Sequence, residues 1–255
     1  MMESNHKFHV DVINTGSASV PAPEVYWMEG WDKWEDLSFH SLLLRGNGMN
    51  IIINTGLPED LQLRNKAMLD FAGERCKFKR NDLKKELREL GVSPDEIDVV
   101  FFTPIQDYTT GGINLFKNAK IYLNRRGWNE DISSPKFKNH LPRELFIPGD
   151  QYRYLLFEAW ERVVFFDSLP LYEIIPGLKV RWVGCHHRSS LAFEIETESG
   201  KAVFSDCFFK KRNIENSLPI GIAESTLECL DAYSIYGTNY ILLPAYDPQI
   251  DGMKL

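Results

Sequence analysis

Two adjacent histidines and a later aspartate are the residues of this sequence best suited to chemistry. His186 and His187 follow one another, and Asp206 lies in the stretch FSDCFF. Two imidazoles and one carboxylate are enough to bind a single zinc or iron ion. Further donors that could join them are Asp107, His140 and His40. Adjacent residues of a strand point to opposite faces, so we expect the two histidines to face apart. Ordinary hydrogen-bonded side chains are therefore the favoured interpretation, and a nonstandard metal site is the alternative.

Two cysteines flank the same residues. Cys185 precedes His186, and Cys207 follows Asp206. A cysteine nucleophile needs a thiol pKa lowered by an adjacent base, for which only the two histidines are near in sequence. Small buried thiols are the simpler interpretation. The four cysteines show no C-x-x-C spacing, which fits a reducing compartment and gives a redox role little support.

The stretch VVFFTPIQDYTTGGINLF, residues 99–116, has the outline of a catalytic loop without a histidine. An apolar, β-branched run predicts a strand buried on both faces, and Gly111-Gly112 closes the loop after it. The loop carries side chains that could line a cavity and orient a substrate, or simply fill space. They are Gln106, Asp107, Tyr108 and Thr109.

Composition limits the partners of the chain. With 255 residues and 44% hydrophobic content, we expect one domain over 1–255 with a large core. The net charge of −7, with scattered lysines and arginines, argues against nucleic acid. No apolar run approaches about 18 residues, and no signal peptide is recognisable, so we expect no membrane association and a cytoplasmic location.

The predicted elements alternate strands and helices. Asn47-Gly48 and Ser199-Gly200 each lie between apolar runs and predict hairpins. Strand-loop-helix units surround these hairpins, so the sequence predicts two β-sheets covered by helices. Residues 1–38 are rich in aromatics and predict a flap or an interface. Residues 129–160 are the least regular part and predict a helical insertion.

In its order of elements the chain resembles the metallo-β-lactamase superfamily, and most closely its lactonase-like and thioesterase-like hydrolases. The resemblance runs from Phe39 to Pro248 through SLLLRGNGMNIIINTGLP, LGVSPDEIDVVFFTPIQDYTTGGINLFKNAKIYLNRRGW, VRWVGCHHRSSLAFEIET, KAVFSDCFF and ILLPAYDP. It implies an α/β fold of the α+β kind, a four-layer αββα sandwich. It also implies a dinuclear metal site that hydrolyses esters, lactones or thioesters.

The metal-ligand positions implied by the resemblance are mostly substituted. In the family a T-H-x-H-x-D-H-x-G-G loop supplies most ligands, and here its four ligand positions hold Pro104, Gln106, Tyr108 and Thr109. Tyr246 replaces the last histidine. Only two ligand positions retain the family residue, and they are His186 and Asp206. A catalytic zinc needs three protein ligands and an open position, so these two are too few for the ordinary mechanism.

These substitutions predict a pseudoenzyme, or a protein that binds a small molecule or a partner, descended from such hydrolases. No cofactor is expected. The alternative is a metal-dependent hydrolase or an iron oxygenase that holds one zinc or iron ion in a rearranged site around His186 and Asp206. In either case the expected site is completed by Gln106, Asp107, Tyr108, Thr109, His187 and Tyr246. The chain would act as a homodimer, or as a heterodimer with an active paralogue.

Overall fold

The computed structural model describes residues 6–133, 142–168 and 171–255. Among these residues one sheet has seven strands: β1 (His9–Pro21), β2 (Trp34–Gly46), β3 (Met49–Ile53), β4 (Lys79–Arg80), β5 (Val99–Phe101), β6 (Lys120–Asn124) and β7 (Val163–Phe166). A second sheet has five: β8 (Tyr172–Ile175), β9 (Leu178–Trp182), β10 (Leu191–Thr197), β11 (Gly200–Ser205) and β12 (Ile241–Pro244).

Helices connect and cover these strands. The α-helices of the described chain are α1 (Ala22–Val25), α2 (Gln62–Ala72), α3 (Leu83–Glu89), α4 (Asp107–Thr110), α5 (Arg125–Gly127), α6 (Gly149–Arg153), α7 (Lys211–Glu215) and α8 (Thr226–Tyr236). Single 3₁₀ turns lie at Glu74–Cys76, Pro94–Glu96, Ile113–Leu115, Arg143–Leu145, Trp160–Arg162 and Pro248–Ile250, and π-helical turns at Trp128–Ser133 and Tyr154–Glu158.

Strand order explains why several loops meet at one end of the molecule. The first sheet has the order β4-β1-β2-β3-β5-β6-β7, with β3, β5, β6 and β7 parallel. The second has the order β12-β11-β10-β9-β8, with β11 and β12 parallel. Parallel strands finish at the same edge of a sheet, so the loops after β3, β5, β11 and β12 come together in pairs.

Alternating side chains of the first sheet pack on both of its faces. Leu42, Leu44 and Ile51 pack in the core between the two sheets, whereas Leu43 and Ile52 pack on the opposite face. Side chains of a strand alternate in this way, so two buried faces need a continuously apolar sequence. The prediction of a strand buried on both faces at 99–101 is confirmed.

Helices close the outer faces of both sheets. Leu83 and Leu87 of α3 pack against the outer face of the first sheet, together with the segments around Ile113 and Trp128. On the second sheet, the Tyr236 hydroxyl at the end of α8 donates to Glu194 of β10 at 3.1 Å. The predicted four-layer αββα sandwich is therefore confirmed.

Both predicted hairpins are present. β2 and β3 pair across Asn47 and Gly48, whose φ angles of 53° and 72° are those of a tight left-handed turn. β10 and β11 pair up to Thr197 and Gly200. Asparagine and glycine tolerate positive φ at low cost, which is why Asn47-Gly48 predicted its turn correctly. In the second hairpin the turn lies one residue earlier than predicted, at Glu198 and Ser199, because Gly200 already pairs with Thr197.

Residues 9–21, for which no strand was predicted, form β1, which pairs with β2 along its length. The register shifts between Asn14 and Gly16, so a bulge interrupts the alternation that would have indicated a strand. Of the aromatic residues after it, Tyr26 and Phe39 are buried, whereas Trp27 and Trp31 are 52% and 71% exposed. The flap or interface predicted for 1–38 stays a prediction.

Helix α2 is attached to the rest of the molecule by polar contacts. None of its eleven side chains, all of them described, is buried. Arg64 donates to Asp107 and to the carbonyl of Leu145, and Asn65 pairs with the backbone of Phe78. Met68 adds one partly buried apolar side chain that packs against the core, so few apolar contacts stabilise this helix.

The segment 129–160, predicted as a helical insertion, consists of short turns and α6 where it is described. Residues 134–141, and with them His140, lie outside the described residues. Within the described ranges, no helix combines the length and the apolar character that crossing a membrane requires.

Truncation of Phe193 tests the core between the sheets. This residue of β10 is fully buried, with its ring centroid 5.3 Å from that of Phe101 in β5. We expect Phe193→Ala to lower the free energy of unfolding by about 3–5 kcal/mol in chemical denaturation. Phe71→Ala, at a position 60% exposed, is the control and should change it by less than about 0.5 kcal/mol. Equal effects of the two variants would contradict the assignment of this core.

Candidate functional site

The retained aspartate lies where the two sheets meet. Asp206 follows β11, the loop beginning at Phe102 follows β5, and Tyr246 lies just beyond β12. His186 lies in the bend between β9 and β10. The fold thus brings both retained positions and Tyr108 and Tyr246 into one region, as the resemblance implies.

Both carboxylate oxygens of Asp206 already accept hydrogen bonds from protein groups. Oδ1 accepts from the Thr103 hydroxyl at 2.5 Å, and Oδ2 accepts from the Ser190 hydroxyl at 2.6 Å and from His186 Nδ1 at 3.1 Å. The Asp206 side chain is fully buried. Three donors compensate the loss of hydration that burial imposes on the charge. The same bonds occupy the oxygens that would otherwise bridge two cations.

His186 serves as a neutral hydrogen-bond donor. Burial lowers its pKa to about 4, assisted by the neighbouring His187 and opposed by Asp206. Near neutral pH the ring therefore carries one proton, which the bond to Asp206 places on Nδ1. Its faces contact other rings, with centroid distances of 4.8 Å to Phe209 and 6.1 Å to Tyr246.

The expectation that His186 and His187 face apart was wrong. Their ring centroids are 4.1 Å from each other. Both residues lie beyond the end of β9, and Gly184, with φ of 58°, turns the chain out of the strand before them. The alternation of a strand therefore does not apply. His187 faces Tyr108 Oη, 3.2 Å from its Nε2, and Glu224 Oε1, 3.4 Å from its Nδ1.

Aromatic rings fill the space beside Asp206. Tyr108 and Tyr246 are 8% and 3% exposed, and their ring centroids are 6.2 Å apart. Phe39 lies 5.6 Å from each of them, and Phe209 lies 4.6 Å from Tyr246. Neither His186 nor Asp206 is in the wall of the described cavities, which measure about 260 to 720 Å³.

The other loop residues predicted for the site support the loop itself. The Thr109 hydroxyl donates to the carbonyl of Pro104 at 2.6 Å, which closes the turn of α4. Gln106 is buried, and its Nε2 has no hydrogen-bond partner among the described residues. Asp107 forms a two-pronged ion pair with Arg64, so its carboxylate is directed to α2 and is not available to a cation beside Asp206.

The remaining candidate donors are also engaged elsewhere. His40 has Nδ1 3.0 Å from the carbonyl of Ala245 and Nε2 2.7 Å from Asp251 Oδ1. Cys185 and Cys207 are fully buried, and burial raises the pKa of the Cys185 thiol well above its usual range. A nucleophilic cysteine is therefore not supported.

The donor set does not fit the metal centre that the resemblance implies. Among residues 6–133, 142–168 and 171–255, no three His, Cys, Asp or Glu side chains are placed to hold an ion together. The chemistry agrees, because Tyr108, Tyr246 and Gln106 stand at ligand positions and present phenols or an amide.

Sequence reasoning missed the residues that hold this arrangement. Thr103, Ser190, Arg64 and Glu224 contact Asp206, Asp107 or His187 from distant parts of the chain. Serine, threonine and arginine are common on surfaces, so no spacing distinguished them. A buried aspartate requires hydrogen-bond donors, but the sequence does not indicate which hydroxyl groups supply them.

Replacement of Asp206 tests its role as a hydrogen-bond acceptor. In Asp206→Asn an amide donor would face the Thr103 hydroxyl or the Ser190 and His186 donors, and one buried group would lose its partner. We expect the free energy of unfolding to fall by about 3–5 kcal/mol, measured by chemical denaturation. We expect a chelator to change the stability of neither protein, because both Asp206 oxygens accept from protein donors. A chelator-dependent loss confined to the wild type would oppose this interpretation.

The low pKa of His186 predicts a pH dependence of stability. Its pKa is about 4 in the folded chain against 6.5 for the free group, so the unfolded chain binds more protons between these values. Stability therefore falls as pH falls through this window, and the contribution of His186 at pH 4 is about 3 kcal/mol. Between pH 7 and pH 4 the free energy of unfolding of the wild type should fall by about 3 kcal/mol more than that of His186→Gln, measured by chemical denaturation at each pH. Parallel pH profiles would show that His186 titrates normally.

Comparisons with known proteins agree on the fold. No family model matches the chain, and no curated protein matches it. A quorum-quenching N-acyl homoserine lactone lactonase is similar in structure, with a TM-score of 0.72, 16% identity, and coverage of 98% of this chain and 95% of that one. A probable metal-dependent hydrolase from Staphylococcus aureus gives 0.74 and 17%, covering 95% and 90%. A hydrolase of the beta-lactamase superfamily gives 0.69 and 14%, covering 97% and 92%. The chain has the metallo-β-lactamase fold.

Proposed function

We propose that this chain is a pseudoenzyme of the metallo-β-lactamase fold, which binds a small molecule or a protein partner and does not hydrolyse esters through a dinuclear centre. The observation that supports this most strongly is the Asp206 carboxylate, whose two oxygens accept from Thr103, Ser190 and His186. A bridging role would require these bonds to be given up inside a fully buried site.

The neighbouring side chains offer no replacement for a metal-activated water. A metal is what lowers the pKa of bound water from 15.7 to about 7 in such hydrolases. Burial raises the pKa of the Tyr108 and Tyr246 phenols well above their usual range, so neither is ionised near neutral pH. His186 is neutral, and its Nδ1–H donates a hydrogen bond to Asp206. The described site therefore lacks a ready nucleophile.

The alternative, a hydrolase or iron oxygenase with one zinc or iron ion in a rearranged site, would need His186 and Asp206 to separate from one another. It would also need His187 to leave Tyr108 and Glu224. No described third donor lies ready to complete the set. This alternative has less support than the pseudoenzyme.

A protein partner is the other half of the proposal. Trp27, Met28 and Trp31 are 52%, 60% and 71% exposed on one short segment after α1. Exposed apolar side chains close in sequence are typical of interaction surfaces. A homodimer, or a heterodimer with an active paralogue, is compatible with such a segment.

Metal analysis tests the proposal directly. We expect protein purified without chelators, then incubated with zinc, iron or manganese and desalted, to retain far less than one ion per chain. The His186→Ala variant is the matched control and should retain the same background amount. Stoichiometric metal in the wild type that is lost in His186→Ala would refute the pseudoenzyme.

Activity measurements complete the test. We expect no turnover above the uncatalysed rate on a panel of lactones, thioesters and aryl esters, with or without added metal, because no group in the site can supply hydroxide. Turnover that purifies with the protein and disappears in a folded Asp206→Asn variant would instead support the rearranged metal site.

A further inference from the structure

A cavity with a volume of about 720 Å³ lies between the start of α2, the α4 loop and the segment that leads into α6. Neither His186 nor Asp206 is in its wall. Cavities that bind small molecules span about 300–1,000 Å³. Its apolar wall is formed by Pro58, Leu63, Leu115, Leu145 and Pro148.

Two guanidinium groups in this cavity have unfilled donors. Arg64 uses Nε and Nη2 for Asp107 and the Leu145 carbonyl, while its Nη1 bonds to no described residue. Arg80 donates only Nε, to the carbonyl of Leu57 at 3.3 Å, and its Nη2 lies 3.8 Å from Asp82. A guanidinium carries five N–H donors in a rigid fork that matches a carboxylate. Asp107 also lines the cavity and balances the charge of Arg64, so an anionic acceptor would bind at the open donors of Arg80 and at Nη1 of Arg64.

The mouth of the cavity has the opposite charge. Glu59, Asp60, Glu144 and Asp150 line it and are exposed, and none of them forms an ion pair within the described chain. Lys117 is the one lysine in the wall, and its Nζ lies over the Tyr154 ring at 4.6 Å. A field of this sign at the entrance favours a cation.

We propose that this cavity binds a small zwitterion with an apolar body, of the size of a dipeptide. Its carboxylate would meet the free donors of Arg80 and Arg64, its side chains the leucine and proline wall, and its ammonium the acidic mouth. Two extended residues span at most about 7 Å, which fits a cavity of 720 Å³, about 9 Å across as a cube. This inference rests on the proposed function and assigns the ligand class and the place of binding.

Calorimetric titration with three related peptides tests the charge pattern. The probes are the dipeptide Leu-Phe, its N-acetyl form without the ammonium, and its C-terminal amide without the carboxylate. We expect the wild type to bind the dipeptide at least about tenfold more tightly than either derivative, because each derivative lacks one charge-assisted contact. Absence of saturable binding, or equal affinity for all three, would overturn the proposal.

Substitutions of charged residues in the cavity wall test whether the dipeptide binds in this cavity. Arg80→Gln should weaken the dipeptide about tenfold and remove its advantage over the amide. The double variant Glu144→Gln with Asp150→Asn should remove the advantage over the N-acetyl form. Matched charge changes outside the cavity, Arg88→Gln and Asp231→Asn, should leave all three affinities unchanged.

An unaltered affinity in both cavity variants, each shown to be folded by circular dichroism, would overturn the assignment of the ligand to this cavity. The metal retention of the same preparations is measured separately. Failure of the peptide titrations with metal-free protein contradicts only the cavity, whereas bound metal contradicts the proposed function.

Discussion

One buried carboxylate connects the two halves of this molecule. Asp206 follows β11 of the second sheet, and its Oδ1 accepts from Thr103, which follows β5 of the first sheet. Its Oδ2 accepts from Ser190 and His186, which precede β10. The loops from both sheets are thereby fixed by hydrogen bonds to a single charge. The family resemblance implies a metal ion at this position, and in the structure hydrogen bonds from Thr103, Ser190 and His186 join the same loops.

Aromatic rings pack around the Asp206 carboxylate. A metal site is polar and open to water, whereas this region contains the contacting rings of Phe39, Tyr108, Phe209 and Tyr246. Each ring buries a large apolar area, which compensates for the polar groups enclosed with it. The loop that would carry ligands keeps its path because Thr109 bonds the Pro104 carbonyl and Gly111 donates to the Gly56 carbonyl. These hydrogen bonds fix the path of the loop without the family's ligand side chains.

Apolar periodicity and turn residues are local signals, so the sequence predicted two sheets covered by helices, and the family resemblance implied their arrangement as an αββα sandwich. Asn47-Gly48 and the apolar run before Thr103 specified a hairpin and a doubly buried strand. β1 was not predicted because its bulge at Asn14–Gly16 interrupts the alternation of apolar and polar side chains that indicates a strand.

The site was only partly predictable, since its contacts join distant parts of the chain. Tyr108, Tyr246, His186 and Asp206 could be placed together by resemblance. The donors Thr103 and Ser190 could not, because hydroxyl residues occur throughout the sequence without a distinguishing pattern. The relative direction of His186 and His187 depended on the backbone of Gly184, which no residue pattern specifies.

The attachment of α2 has a consequence for the motions of the molecule. None of its side chains is fully buried: Met68 packs partly buried against the core, and Arg64 and Asn65 make polar contacts, so its detachment exposes less apolar surface than that of a core strand. Such an element opens in a local, sub-global event while the sandwich stays intact. Its backbone amides then exchange with solvent far sooner than those of β10, and a protease would find its first cleavage site in this helix.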